Sequence, residues 1–332
     1  MIYPDFPKKG DTIGICAPSA GTGYKIDSYK RSLEVLRSEG YAIKETANVR
    51  SEYSPSADAK TRGEEFNLLA GDSAVKAIIS AAGGDYNIDM LPFLDARAVA
   101  EGPKWITGAS DPTNILYYVT TKLDIATVYG FNAGTFDLEP LHPFCRNALD
   151  VLKGDLKEQK SFDFYDASTD FMTDTVSFDH EVVWESFTPS GSGFEEAPVD
   201  IEGRLIGGCT DVIANLIGTP YDGTADFIKK YDDIIWYFDT FAMSAEDLYR
   251  TMVQMKYCGY FRNTKAAVIG RILLKRGSED GEFKEALKKT FDFPFIYGAD
   301  IGHVKPTMTF INGSVARIRC ADGKGSIRMK LE

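Results

Sequence analysis

Three apolar runs, each emptying into a loop of small residues, constrain this chain more than any other feature it carries. Residues 12–18 lead into Ser19-Ala20-Gly21-Thr22-Gly23, residues 75–80 into Ala81-Ala82-Gly83-Gly84-Asp85, and residues 104–108 into Ala109-Ser110-Asp111. Helical patterns lie between them. One covers residues 26–39, with Leu33 and Leu36 on its inner face and Gly40 as its stop; another is capped by Ser56 and runs through Phe66, Leu68 and Leu69. Residues 41–44 and 126–129 add strands, and residues 113–121 and 143–152 add helices. Strands alternating with helices predict an α/β fold whose N-terminal domain is a doubly wound parallel sheet. Ligands of such sheets bind beyond the carboxyl ends of the strands. The three small-residue loops are therefore expected on one edge.

The chain has 332 residues, enough for two domains. The N-terminal nucleophile domain is expected at 1–154. Residues 155–200, rich in Ser, Asp and aromatics without a clear period, read as a connection and a substrate loop. Trp184 in that stretch is a candidate wall for a ligand or, equally, a tryptophan packing the domains together. Residues 201–332 predict a smaller C-terminal α/β domain with several β-strands. Its apolar run 233–238 ends at Asp239, and Ser244-Ala245-Glu246-Asp247 has the form of a capping box opening a helix to Tyr257. A further strand is expected at 266–269, helices at 211–217 and 282–290, and strand-like runs at 307–311, 314–318 and 326–330.

A net charge of -12 argues against nucleic acid or an anionic membrane surface as the main partner. No segment approaches a membrane-spanning length. The five cysteines (Cys16, Cys145, Cys209, Cys258 and Cys320) are scattered without C-x-x-C spacing, which fits a reducing compartment and carries no zinc signature. No H-E-x-x-H and no P-loop is present. The first ten residues lack the apolar core of a signal peptide, so a cytoplasmic location is expected, with no metal and no cofactor.

The chemistry centres on Gly108-Ala109-Ser110-Asp111-Pro112-Thr113, a strand end, a sharp turn and a helix start. Such an elbow presents a serine hydroxyl beside free backbone N–H groups, although Pro112 stands where G-x-S-x-G has its second glycine. Ser110 also reads as a simple helix N-cap. A nucleophilic serine needs a base, and only three histidines exist. His142 precedes Pro143 at a helix start and His180 lies in an acidic stretch, so both read as structural or solvated. His303, in Gly302-His303-Val304-Lys305-Pro306, is the candidate base. Asp239 is the best-placed carboxylate to orient it, with a turn cap as its other reading. Gly21-Thr22-Gly23 hints at a phosphate loop, but Ile26 stands where the third glycine belongs. Cys209, after Gly207-Gly208, reads as a small buried thiol or a nucleophile.

Taken together, residues 10–19, Gly83-Gly84, residues 108–113, residues 203–209, and Gly302-His303 with Pro306 resemble the LD-carboxypeptidase family of serine peptidases. That family includes muramoyltetrapeptide carboxypeptidases and microcin-immunity peptidases. The resemblance implies a Ser-Glu-His triad, with the serine from the first domain and the other two members from the second. Carried onto this chain, Ser110 is the nucleophile, His303 the general base and acid, and the backbone N–H groups of Gly84 and Asp111 the oxyanion hole. The family's glutamate falls on Asp239, shorter by one methylene, with Glu246 as a fallback carboxylate. The implied activity is hydrolysis of an amide between an L-centre and a D-residue, releasing D-alanine from cell-wall peptides during peptidoglycan recycling. The alternatives are hydrolysis of peptide or aminoacyl-nucleotide antibiotics, and a non-catalytic descendant that binds murein-like peptides. The partner is then a small peptide, and a homodimer is the family expectation.

Overall fold

The computed structural model describes residues 1–170, 176–191 and 193–332. The expected substrate loop therefore lies partly outside the described residues. Two compact units divide the chain. The first comprises Met1–Leu156 and Thr309–Gly313, the second Lys157–Met308 and Ser314–Glu332.

In the first unit, strands β1 (Thr12–Cys16), β2 (Ala42–Glu45), β3 (Val75–Ser80), β4 (Trp105–Gly108) and β5 (Thr127–Tyr129) run parallel in the order β2-β1-β3-β4-β5. Helices α1 (Ile26–Ser38), α2 (Ala59–Gly71), α3 (Ala96–Glu101), α4 (Thr113–Leu123) and α5 (Pro143–Leu152) alternate with them. Five of the six β3 residues are buried, as a strand covered on both faces requires. Leu33 and Leu36 of α1 are 1% and 0% exposed, so the helical period points them into the core. Truncating such a leucine to alanine costs about 2–5 kcal/mol. Winding reverses between β1 and β3, the switch point at which sheets of this order hold ligands.

Two local expectations differ from the structure. Asp58, not Ser56, caps α2 by accepting the Thr61 N–H, while the Ser56 hydroxyl donates to the Ala17 carbonyl and so anchors the loop after β1. Between β3 and β4 the chain also forms a 3₁₀ turn at Asn87–Phe93 before α3, and no apolar period announces it.

The second unit carries a nine-stranded mixed sheet. Several described segments between residues 157 and 200 supply strands, although that stretch shows no period. They contribute β6 (Gln159–Lys160), β9 (Glu185–Ser190), β10 (Gly193–Glu196) and the start of β11 (Val199–Cys209), while β7 (Phe164–Tyr165) and β8 (His180–Glu181) pair with each other. Three parallel strands follow β11: β12 (Ile234–Asp239), β13 (Thr264–Gly270) and β14 (Phe295–Ala299), arranged β14-β13-β12-β11. Every residue of β12 is buried. Helices α6 (Thr210–Leu216), α7 (Thr224–Lys230), α8 (Ala245–Tyr257) and α9 (Asp280–Thr290) connect these strands. Both directions of the α8 capping box are present, Asp247 N–H to Ser244 Oγ and Ser244 N–H to Asp247 Oδ2.

The run expected at 307–311 resolves into β15 (Phe310–Asn312), which pairs antiparallel with β5 and belongs to the first unit. β16 (Val315–Ala321) and β17 (Lys324–Lys330) return to the second sheet as an antiparallel hairpin. Burial alternates along β16, as expected of a strand with one solvated face.

Candidate active site

In the first unit the elbow has the backbone its sequence suggests. Ser110 has φ 67°, a left-handed conformation that a non-glycine residue adopts only under constraint. Pro112 occupies the N-cap of α4, so Ser110 is not the cap. A Cβ on residue 108 would lie 2.6 Å from Pro112 Cβ and 2.9 Å from Ser80 Oγ, so only glycine lets the helix turn back this sharply onto the strand. Neighbouring groups hold the turn. Asn132 accepts the Ala109 N–H at 3.0 Å and donates to the Ala109 carbonyl at 3.2 Å, while Tyr129 Oη accepts the Ser110 N–H at 3.2 Å. The register partner of Gly108 is Tyr129, which explains why the end of β5 reaches the elbow.

Gly83 packs against the serine, since a Cβ there would lie 3.2 Å from Ser110 Oγ. Next to it, Gly84 has φ 139° and leaves no room for a Cβ beside the Ser19 hydroxyl. Ser19 Oγ donates to Asp111 Oδ2 at 2.5 Å and accepts the Tyr86 N–H at 3.2 Å. Asp111 Oδ2 also accepts the Asn87 N–H at 2.8 Å, and its Oδ1 accepts from Asn114 Nδ2 at 2.9 Å. Asp111 is 4% exposed; burial pushes its carboxyl up, and the bonds from Ser19 and Asn87 oppose that push. This network ties the loops after β1, β3 and β4 together. The N–H groups of Gly84 and Asp111 donate to no acceptor among the described residues, so both remain available to a ligand.

Sequence reading missed Ser19, Asn87, Tyr129 and Asn132. Tyr129 ends β5 and the other three lie in the segments that follow β1, β3 and β5, but their partners are 19 to 92 residues away. Gly21, by contrast, has a packing role: a Cβ there would meet the Ser51 backbone, so the loop serves contact with residues 49–53 instead of a phosphate.

In the second unit His303 and Asp239 meet. His303 Nδ1 lies 2.9 Å from Asp239 Oδ1, and the His303 N–H donates to the same oxygen at 3.3 Å. Asp239 is 1% exposed at the end of β12, and Phe241 stacks obliquely on the imidazole at 4.7 Å. Burial works against a charged imidazolium, but the Asp239 carboxylate outweighs it, helped by Asp211, and holds His303 above its ordinary value. Gly302, at φ 98°, makes the approach possible, because any Cβ there would be driven into the carboxylate. Asp239 thus reaches the imidazole through space that the absent side chain of Gly302 leaves open. Glu246 is exposed on the first turn of α8.

The remaining candidates have other roles. Burial pushes the Cys209 thiol well up, which keeps it protonated and poorly nucleophilic. His142 caps α5 by accepting the Phe144 N–H, and exposed His180 pairs with Asp179. Trp184 corrects an expectation. At 2% exposure it is buried inside the second unit, its indole N–H donating to Asp300 Oδ2 at 3.0 Å and its ring lying where a Cβ on Gly325 would be. A side chain enclosed in this way walls no ligand. Beside the β13 and β14 ends lies a cavity of about 730 Å³, lined by Tyr165, Arg271, Lys275, Arg276, Asp280 and Lys284 among others.

Comparison with known proteins identifies the family and the fold. Residues 13–130 match the LD-carboxypeptidase N-terminal domain and residues 202–318 the LD-carboxypeptidase C-terminal domain, together more than half of the chain. A putative carboxypeptidase of Vibrio cholerae is 26% identical over 323 residues, covering 93% of this chain and 92% of its own. The microcin C7 self-immunity protein MccF of Escherichia coli is 34% identical over 123 residues, 36% of each chain. A structure of MccF in complex with aspartyl sulfamoyl adenosine aligns with TM-score 0.81 at 21% identity, covering 99% of both chains. Muramoyltetrapeptide carboxypeptidase from Oxalobacter formigenes aligns with TM-score 0.73 at 21% identity, covering 96% of this chain and 98% of its own. With both domain models matched in order along an α/β chain of this architecture, the protein belongs to the LD-carboxypeptidase family.

Proposed function

We propose that this protein is a serine carboxypeptidase that cleaves an amide between an L-centre and a D-residue through an acyl-enzyme. The observation that carries the reading is the left-handed Ser110 at the strand–helix elbow, a strained backbone of the kind that gathers at functional sites. The Asp239–His303 bond supplies the second element, a base with its orienting carboxylate.

In this reading His303 takes the Ser110 hydroxyl proton as the oxygen attacks the scissile carbonyl. The N–H groups of Gly84 and Asp111 stabilise the oxyanion, a contribution of about 3–4 kcal/mol per donor in comparable sites. His303 then returns the proton to the departing amine of D-alanine, and water, activated by the same imidazole, releases the acyl group. Asp239 holds Nδ1 so that the other ring nitrogen faces the reaction. No cofactor enters these steps.

The test is D-alanine release from a murein tetrapeptide by wild type and Ser110→Ala. Release by wild type alone supports the proposal; equal release by both refutes it. A second reading, hydrolysis of aminoacyl-nucleotide antibiotics, is favoured by the similarity to MccF. Turnover of an aminoacyl sulfamoyl nucleotide without D-alanine release would select it. Binding of either ligand by a wild type that turns over neither would identify a non-catalytic descendant. A cytoplasmic homodimer is part of the proposal. The five cysteines are free and no described helix is long and apolar enough to cross a membrane, and sizing by light scattering tests the dimer.

A further inference from the structure

Behind the Asp239–His303 pair lies a second carboxylate that the catalytic reading leaves without a role. Asp211, in the first turn of α6, accepts two consecutive backbone N–H groups: Phe241 to Oδ2 at 2.9 Å and Ala242 to Oδ1 at 3.0 Å. The contacts form a continuous zip between two strand ends. Cys209 is the parallel register partner of Asp239, the hydroxyls of Thr210 and Thr240 lie 3.0 Å apart, and Asp211 then takes the next two amides. A side-chain carboxylate bridging two amides of another loop fixes that loop more firmly than a single neutral bond would. The gripped segment begins two residues after Asp239 and carries Phe241, whose ring lies against the His303 imidazole.

We propose that Asp211 is a positioning residue for the Asp239–His303 pair: its carboxylate clamps the turn at 240–242, so that Asp239 stays on Nδ1 and Phe241 stays on the ring face. The proposal rests on the reading of His303 as the base. Asp211 does not touch the imidazole; it acts through the backbone it holds and through its charge. Among the described residues, Asp239 and, more weakly, Asp211 are charged groups that favour the protonated ring against the effect of burial. An Asp211→Asn side chain matches the shape, but it can accept only one of the two amides and carries no charge.

The chain has only three histidines, so the imidazole signals can be assigned by substitution and titrated by NMR in the full-length protein. Asp211→Asn is expected to lower the His303 titration midpoint and to shift the acid limb of kcat/KM the same way. It should reduce kcat by about tenfold or more with KM little changed, as expected when a reacting group is misplaced. A folded Asp211→Asn whose His303 titrates as in wild type would overturn the proposal. Should the variant not fold, amide exchange in wild type decides. Phe241 and Ala242 N–H groups as slow to exchange as those of β12 support the clamp, and fast exchange refutes it. The titration requires no substrate, so a wild type without hydrolase activity would end the catalytic reading separately from the test of Asp211.

Discussion

Gly302 and Asp239 stand so close that a Cβ on residue 302 would come within 2.9 Å of Asp239 Cβ and be driven into its carboxylate. The missing side chain leaves the carboxylate room to reach His303. Gly302→Ala is expected to force the carboxylate off Nδ1 and to strain a backbone at φ 98°. The loss should be about 2 kcal/mol or more of stability, together with most of the activity. Thermal unfolding alongside D-alanine release checks both; an alanine variant with native Tm and turnover would contradict the assignment.

Ser110 pays for its exposure with a left-handed backbone, and glycine has no such cost. Ser110→Gly is therefore expected to abolish turnover while raising stability by about 0.5–1 kcal/mol, the relieved strain less the added freedom of the unfolded chain. Urea unfolding measures this. A destabilised variant would mean that the hydroxyl is a structural anchor.

Ser19 and Asp111 join the loops that carry the two N–H groups without an acceptor among the described residues. Ser19→Ala removes a donor to a buried carboxylate and should cost about 1–3 kcal/mol. If that bond aligns the oxyanion donors, kcat falls by about tenfold or more with KM nearly constant, short of the 10²–10³ for deleting a donor outright. Steady-state kinetics separate the two parameters, and a change in KM alone would exclude the alignment role.

His303 is held above the ordinary histidine value of about 6.5. Its neutral form, the one that would accept the serine proton in the proposed mechanism, therefore disappears as pH falls through that raised value, placing the acid limb of kcat/KM above 6.5. The stability sign is opposite to that of a salt-bridged carboxylate. The contribution from His303 is complete below the unfolded value and is lost as pH rises through the folded one. Asp239→Asn should move the acid limb to lower pH and cut kcat by on the order of 10³–10⁴. A pH–rate profile with an unmoved limb would remove Asp239 from the site.

Local chemistry made much of this molecule legible. The elbow at Ser110, the α8 capping box and the strand ending in Asp239 each depend on neighbouring residues, so their signals are contiguous. Ser56 misled because its hydroxyl has a tertiary partner in Ala17, leaving the cap to Asp58. The aperiodic stretch around Trp184 left a ligand wall and a packing tryptophan equally open, and only the strands that form around it bury the ring. Residues 185–190 alternate too weakly to declare β9, which forms because β14 offers an edge.

By itself the sequence determined the alternation that winds the first sheet, the glycine that permits the elbow, and the order of serine, acid and histidine along the chain. These follow from backbone sterics and hydrophobic period, which act over a few residues. Tertiary structure alone decided that β15 joins the first sheet, that Asp239 rather than Glu246 meets His303, and that Ser19 reaches Asp111. Each of those choices depends on a distance between residues far apart in the chain, and only packing the strands side by side sets such distances.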